Sequence, residues 1–123
     1  MELNTQDLKK YSRQLILKNI GVSGQKKIFN AKILVIGAGG LGCPLMLYLA
    51  YSGIGNLGIA DNDKVDLSNL SRQVLFTRKD LGKFKVSVSK NFISKINKKI
   101  KIKNFFKKID EKNIENIAKN YDF

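Results

Sequence analysis

Glycines at positions 37, 39 and 42 have the G-x-G-x-x-G spacing, which is typical of a turn that binds a phosphate. Gly37 lets the chain turn sharply, Gly39 lets the backbone approach a phosphate, and Gly42 lets a helix pack closely on a strand. The N–H groups at the start of that helix would face the anion, helped by the helix dipole. Asp61 follows Gly42 by 19 residues, where a nucleotide-binding unit places the carboxylate that binds ribose hydroxyls. The pattern predicts a nucleotide site.

A polar, turn-rich stretch follows Asp61 and contains Asp63, Asn69, Arg72 and Gln73. It comes directly after a predicted strand, so we expect it at the carboxyl edge of a parallel sheet, where ligands bind in open α/β folds. The planar guanidinium of Arg72 is suited to grip a phosphate. The alternative is an ordinary polar loop, and the bare glycine spacing also fits a tight turn without a ligand.

The chain has one cysteine, Cys43, and no histidine. A disulfide within the chain is therefore impossible, and the chain offers no Cys/His metal site. Cys43 falls in the first turn of the predicted phosphate-facing helix, where a thiol pKa can be lowered. A small packed residue is the favoured interpretation of Cys43.

The elements that must hold these residues form a β-α-β unit. The apolar, β-branched run Lys32–Ile36 predicts a buried strand, and the apolar segment Leu41–Tyr51 predicts a helix. Gly53 and Gly55 would close that helix. Asn56–Ala60 predicts the second strand, which ends at Asp61.

Further elements are predicted on both sides of this unit. We expect Thr5 to cap a helix from Gln6 to about Ile16, with Leu8, Tyr11 and Leu15 on one face, and Ser23 to cap a second helix, 24–30.

Downstream, Thr77 and Asp80 have the spacing of a capping box for a helix to about Ile96, with a break at Gly82. Residues 100–105 alternate like an exposed third strand, and Asp110 would cap a last helix through Lys119. Residues 121–123 look like the start of a fourth strand.

Length and composition indicate at most one domain. The 123 residues are 43% hydrophobic and 27% charged, which is ordinary for a globular protein. The longest apolar run is too short to span a bilayer and no secretory signal is evident, so we expect a cytoplasmic protein without a membrane partner. The net charge of +13 arises mainly from scattered lysines after position 78, without an aromatic platform. This distribution favours a solvated face over a nucleic-acid groove.

Six segments, in order and spacing, resemble motifs of the ThiF/MoeB/HesA family of adenylyltransferases, which are related to ubiquitin-activating enzymes. They are Tyr11–Gln14, Gly37–Pro44, Gly53–Leu57, Asp61–Asp63, Leu67–Gln73 and Leu81–Lys85. The resemblance covers almost the whole chain. It implies the N-terminal half of such an enzyme: an α/β, Rossmann-like parallel-sheet nucleotide-binding domain with a helical extension at 1–30, a βαβ core at 31–123, and truncation in strand four.

The family transfers AMP from ATP to the C-terminal glycine carboxylate of a ubiquitin-like sulfur-carrier protein ending in Gly-Gly, of the molybdopterin or thiamine type. By resemblance, the nucleotide-binding residues are Gly37, Gly39, Gly40, Gly42, Asp61, Asp63, Ser68, Asn69, Arg72 and Lys85. Arg13, Arg72 and Lys85 are implied to be catalytic. In relatives the arginine matching Arg13 enters the neighbouring subunit's site, so a homodimer is implied. Such chemistry needs positioning and charge neutralisation more than a histidine base.

The sequence also departs from the family. The Asp that supports Mg²⁺ in the family falls beyond Phe123, as do the surface that docks the carrier and the Cys-x-x-Cys zinc motifs of many members. We therefore assign no metal ligand in this chain and expect a fragment that is inactive alone.

Two other classes of function stay open at this point. One is half of an NAD- or FAD-binding oxidoreductase, for which Asn69, Arg72, Gln73 and Lys85 would be coincidental. The other is a non-catalytic module whose basic face holds an acidic partner. A comparison of ATP binding with NAD binding separates the oxidoreductase from an adenylyltransferase. ATP binding without pyrophosphate exchange would favour the non-catalytic module.

Overall fold

The fold is built on a parallel β-sheet. The computed structural model describes residues 2–123, in which β1 (Lys32–Ile36), β2 (Asn56–Ala60) and β3 (Lys101–Phe105) form one sheet in the order β1-β2-β3. Both pairings are parallel, and Val35 lies beside Ile59. β-branched side chains favour this extended conformation. The predicted α/β fold with a Rossmann-like parallel sheet is confirmed.

Two helices lie between the strands in the chain and contribute to the core on the sheet. α4 (Gly42–Ser52) joins β1 to β2, and α5 (Lys85–Ile96) precedes β3. α4 contacts α5 and β1, while α5 contacts β3. Their core includes the fully shielded side chains Met46, Leu57, Ile59, Val86 and Ile93. Burial of a large apolar side chain contributes about 1.5–3 kcal/mol. This packing therefore holds α4 and α5 against the sheet.

The N-terminal extension contains three helices: α1 (Thr5–Lys10), α2 (Ser12–Leu15) and α3 (Gly21–Asn30). The prediction of one continuous helix to Ile16 is wrong, because the backbone leaves the helical conformation at Tyr11. The Tyr11 ring is buried and packs edge-on against Phe29, with 5.4 Å between ring centroids. This tertiary contact outweighs the local helical periodicity, and Leu8 is left 43% exposed.

Both predicted caps in this region are wrong. Asn4, not Thr5, caps α1: its side chain accepts from the Asp7 N–H at 2.9 Å, and its own N–H donates to Asp7 Oδ2 at 3.1 Å. Asn is a better N-cap than Thr, and Asp7 completes the reciprocal box. Ser23 lies inside α3, which begins at Gly21.

The segment before α5 differs from its prediction. The capping box of Thr77 and Asp80 is present, but it begins only a short 3-10 helix, Arg78–Asp80. Gly82 then adopts φ +79°, and its N–H donates to Val65 O at 2.9 Å. The pairing with Val65 holds this segment in an extended path, so α5 begins at Lys85.

The C-terminal helix α6 (Ile114–Ala118) is shorter than predicted. Asp110 does not cap it directly, because its carboxylate accepts from the Lys112 and Asn113 N–H groups in the preceding turn, at 2.9 and 3.1 Å. Beyond α6, the Asp122 N–H donates to Lys32 O at 2.8 Å. Residues 121–123 thus lie alongside β1, but they do not form a fourth strand of the sheet.

Across residues 2–123, no helix has both the length and the apolar character needed to cross a membrane.

Candidate functional site

The glycine turn, residues 37–42, connects β1 to α4 at the carboxyl edge of the sheet. Gly37 adopts φ +94°, which supports the predicted sharp turn. A Cβ at Gly42 would collide with the carbonyl oxygen of Gly37, so glycine is required for the close approach of helix and strand. Gly39 has no such crowding, because a Cβ there would meet only Gln73 Nε2, at 3.8 Å. The turn therefore leaves room beside Gly39 for a group from outside.

Asp61, at the end of β2, is hydrogen-bonded to this turn. Its Oδ2 accepts from the Ala38 N–H at 2.8 Å, and its Oδ1 accepts from the Asp63 N–H at 2.7 Å. The Gly37 N–H also donates to Ala60 O at 2.8 Å. Each carboxylate oxygen can accept more than one hydrogen bond, so Asp61 keeps capacity for the hydroxyls of a ligand.

Ser68 and Asn69 lie in a 3-10 helix, Leu67–Ser71, and their side chains are engaged in its cap. Asp66 Oδ1 accepts from the Ser68 N–H and hydroxyl at 2.9 and 2.6 Å, and Asn69 Oδ1 accepts from the Asp66 N–H at 2.9 Å. The hydrogen bonds from the Ser68 hydroxyl and N–H lower the pKa of the Asp66 carboxyl. In this arrangement Ser68 and Asn69 stabilise the loop beside the turn.

Arg72 lies against the glycine turn. Its Cγ would be 3.5 Å from a Cβ at Gly40, so the absence of a side chain at Gly40 lets the arginine stem pack on the turn. The guanidinium Nη1 donates to Ser68 O at 3.1 Å, and the residue is exposed. The structure thus brings this cation to the turn, as the sequence predicted.

Lys85 is the first residue of α5, and its side chain is only 7% exposed. Its Nζ lies 3.9 Å from Asp63 Oδ2, and its backbone N–H donates to Asp63 O at 3.0 Å. Lys83, two residues before Lys85, has its Nζ 3.8 Å from Asp80 Oδ1 and lines a separate cavity with Thr77. Only Lys85 of the two is linked to the acids of the site.

A cavity of about 180 Å³ lies beside Asp61 at the carboxyl edge. Its walls include Ile36, Gly37 and Asp63, together with three residues after β3 that sequence reasoning missed: Lys107, Lys108 and Ile109. These three could have been found from topology, because the carboxyl ends of parallel strands meet at one edge. The lining therefore combines a few apolar side chains with carboxylates and lysines beside Asp61.

Gln73 and Cys43 lie beneath the turn. Gln73 is 4% exposed, and within residues 2–123 its Oε1 is buried without a hydrogen-bond partner. Cys43 is fully buried with its Sγ 3.5 Å from Ala38 O, and burial raises the pKa of the thiol. The interpretation of Cys43 as a packed residue is thus supported.

Arg13 is the one predicted catalytic residue that lies away from the turn. It is exposed on α2, next to Gln14, whose Nε2 donates to Ser52 O at 3.1 Å and to Gln25 Oε1 at 2.9 Å. Ser52 ends α4, whereas Gly42 begins it. A helix of 11 residues is about 16 Å long, so Arg13 lies at the opposite end of α4 from the nucleotide turn.

No three Cys, His, Asp or Glu side chains converge as a metal site within the described range 2–123.

Comparison with known proteins gives a consistent result. The model of a family described as the ThiF family matches residues 11–123. The chain is 52% identical over 120 residues to a probable molybdopterin-synthase adenylyltransferase of Gracilaria tenuistipitata var. liui, covering 98% of this chain and 34% of the relative. It is 43% identical over 121 residues to the adenylyltransferase and sulfurtransferase MOCS3 of Culex quinquefasciatus, covering 98% and 28%. The chain thus spans about a third of the length of these curated relatives.

A solved structure shows the same architecture. The crystal structure of E. coli MccB with ATP matches with a TM-score of 0.81 and 35% identity, covering 93% of this chain and 35% of MccB. The two relatives above are both named adenylyltransferases, and neither is named an oxidoreductase. An NAD- or FAD-dependent oxidoreductase is therefore not the favoured class.

Proposed function

This chain belongs to the ThiF family, and from that premise we propose that it binds ATP at the glycine turn for the adenylylation of a ubiquitin-like sulfur-carrier protein. The observation that carries the proposal is the direct hydrogen bond of Asp61 to the turn at Ala38, with Arg72 and Lys85 nearby. A ribose-binding acid, a phosphate-binding turn and two cations then belong to one site. The name of the Gracilaria relative, a probable molybdopterin-synthase adenylyltransferase, favours a carrier of the molybdopterin-synthase type over a thiamine carrier.

In the proposed reaction, a carboxylate oxygen of the carrier's C-terminal glycine attacks the α-phosphorus of ATP. The new P–O bond gives the acyl adenylate, the bond to the β-phosphate breaks, and pyrophosphate leaves with its electron pair. A carboxylate is already ionised at neutral pH, so the step needs no histidine base. The contribution of the protein is positioning and charge neutralisation.

Each site residue has a proposed role in this step. The open backbone at Gly39 accommodates the phosphates, and Gly40 lets the Arg72 stem lie beside them. Asp61 accepts from the ribose hydroxyls. Arg72, with its stem on the turn, and Lys85, at the start of α5, neutralise charge that builds on the phosphates. Mg²⁺ bound to the triphosphate would share this neutralisation. Because no three-ligand metal group is found within residues 2–123, we assign none of these residues to holding the ion.

A homodimer is part of the proposal, and two observations support it. The family resemblance gives Arg13 a role in a neighbouring subunit's site, and its position at the far end of α4 from this chain's own turn is consistent with that role. Along α4, Leu45, Tyr48 and Tyr51 are 49%, 74% and 58% exposed, and they recur at helical spacing as one apolar stripe. Apolar stripes of this kind mark protein–protein contacts.

A cytosolic location suits an ATP-dependent enzyme with one buried, unpaired cysteine.

Isothermal titration with ATP and, separately, NAD tests the nucleotide assignment on the chain itself. We expect ATP to bind and NAD to bind much more weakly. ATP–pyrophosphate exchange with a carrier ending in Gly-Gly, and with the same carrier lacking its last glycine, then tests the reaction. Tight binding of NAD without ATP binding would overturn the assignment.

A further inference from the structure

We infer that the Asp63 carboxylate is the resting counter-ion of Lys85, and that polyphosphate replaces it when nucleotide binds. This deepens the proposed function and rests on it. It also differs from the sequence expectation, which placed Asp63 among the residues that hold the nucleotide.

The first support is the burial of the lysine. The Lys85 side chain is 7% exposed, and an ammonium group removed from water needs a compensating partner. Within residues 2–123, the Asp63 carboxylate is the only ion-pair partner found for Lys85. The Asp63 side chain is itself 67% exposed. A counter-ion on the solvent side of a buried cation lies where an incoming anion would approach.

The second support is the length of the contact. Nζ and Oδ2 are 3.9 Å apart, whereas a direct ammonium–carboxylate hydrogen bond is about 2.7–2.9 Å long. Lys99 and Asp7 form such a direct pair in the same chain, at 2.7 Å. The Asp63 pair is therefore weak enough for a phosphate, which carries more charge, to take the lysine without a large loss.

The third support is the backbone that carries the pair. The Lys85 N–H donates to Asp63 O at 3.0 Å, and the Val65 N–H donates to Lys83 O at 2.8 Å. Segments 63–65 and 83–85 thus run side by side, and the two charged groups are held near each other without depending on their own attraction. The Asp63 N–H also donates to Asp61 Oδ1 at 2.7 Å. Asp63 consequently links the ribose acid to the phosphate cation through its main chain, and its carboxylate is left for Lys85.

Asp63→Asn tests the assignment, because it keeps every main-chain contact and removes only the charge. Titration with ATP in EDTA should show a dissociation constant lowered about 3- to 10-fold, since an anion beside the phosphates is removed and Lys85 is free. Glu111→Gln is the matched control, because Glu111 is exposed and has no ion pair among residues 2–123. This variant has the same net charge as Asp63→Asn. We expect Glu111→Gln to change the constant less than twofold, as a screened distant charge should.

Thermal unfolding without nucleotide gives an independent result. Asp63→Asn should lower the melting temperature by about 2–4 °C in the wild-type background and by less than 1 °C in a Lys85→Met background, since the pair is absent there. Equal losses in both backgrounds would overturn the inference. Weaker ATP binding by Asp63→Asn would also overturn the inference. A loss of ATP affinity that is seen only with Mg²⁺ would identify Asp63 as a metal ligand instead. If the wild-type chain binds no ATP, the proposed function fails, while the melting temperatures still decide whether Asp63 and Lys85 are coupled.

Discussion

Asp61 Oδ2 accepts a hydrogen bond from the Ala38 N–H at 2.8 Å, which joins the end of β2 to the glycine turn after β1. The same carboxylate accepts from the Asp63 N–H through its other oxygen. One side chain therefore shapes the phosphate turn and the loop after β2, in addition to its proposed contact with the ribose. Its loss should affect both the geometry of the turn and ATP affinity.

We expect Asp61→Ala to weaken ATP binding by about 1–3 kcal/mol, because charged hydrogen bonds to the ribose and to the turn are lost together. Isothermal titration measures this change. Asp61→Asn is the informative companion, because its single amide oxygen can replace only part of the acceptor set. Its affinity should fall between those of Asp61→Ala and the wild type. An unchanged ATP affinity in Asp61→Ala would exclude Asp61 from the site.

Two glycines of the turn should respond differently to alanine. Gly42→Ala should destabilise the fold by about 3 kcal/mol or more, because its Cβ would collide with the Gly37 carbonyl. Gly39→Ala should leave the melting temperature nearly unchanged, since its Cβ fits 3.8 Å from Gln73 Nε2, but it should weaken ATP binding. Unfolding and titration of both variants provide the comparison. Normal ATP affinity in Gly39→Ala would show that the phosphates lie elsewhere.

Arg72 and Lys85 should act more on the transition state than on ground-state binding. We expect Arg72→Ala and Lys85→Ala to lower the rate of pyrophosphate exchange by a larger factor than they lower ATP affinity. Lys83→Ala is the matched control, because Lys83 pairs with Asp80 at 3.8 Å and lines a different cavity. Equal losses of rate and affinity at Arg72 and Lys85 would restrict both residues to binding.

The apolar stripe on α4 should be required for self-association. Tyr48→Glu places a charge on a side chain that is 74% exposed in one subunit, so folding should be unaffected while a buried dimer contact would be lost. Light scattering should show a wild-type dimer and a Tyr48→Glu monomer with unchanged melting temperature. Lys90→Glu, at an exposed position of α5, serves as the control. A dimer that persists in Tyr48→Glu would place the interface on another face.

Cys43 should make stability sensitive to alkaline pH. Burial raises the pKa of its thiol in the folded state, so above the ordinary thiol pKa, about 8.5, the unfolded chain loses a proton that the folded chain keeps. The contribution of the protonated thiol to stability is complete below the pKa of the unfolded chain. It is lost as the pH rises through the pKa of the thiol in the folded state. Melting temperatures between pH 7 and pH 10 should therefore fall less steeply in Cys43→Ala than in the wild type. Parallel profiles would show that the thiol does not contribute.

The parts of the fold that could be predicted depend on local residue types. The β-branched run predicted β1 and the alternation of residues 100–105 predicted β3, while Gly37 and Gly53 mark turns where the backbone adopts a positive φ. The parts that could not be predicted depend on distant partners. Tyr11 interrupts the first helix because it packs on Phe29, and α5 begins late because Gly82 pairs with Val65. Neither partner is visible in a window of local periodicity.

For the candidate site, the sequence by itself predicted that the glycine turn, Asp61 and Arg72 lie at one edge of the sheet, because they follow predicted strands and the carboxyl ends of parallel strands meet at one edge. Only the tertiary structure decided which groups contact each other. It paired Asp63 with Lys85, used Ser68 and Asn69 in a cap, and added Lys107, Lys108 and Ile109 to the cavity. Side-chain pairing is set by packing between segments far apart in the chain, and such packing leaves no periodic signal in the sequence.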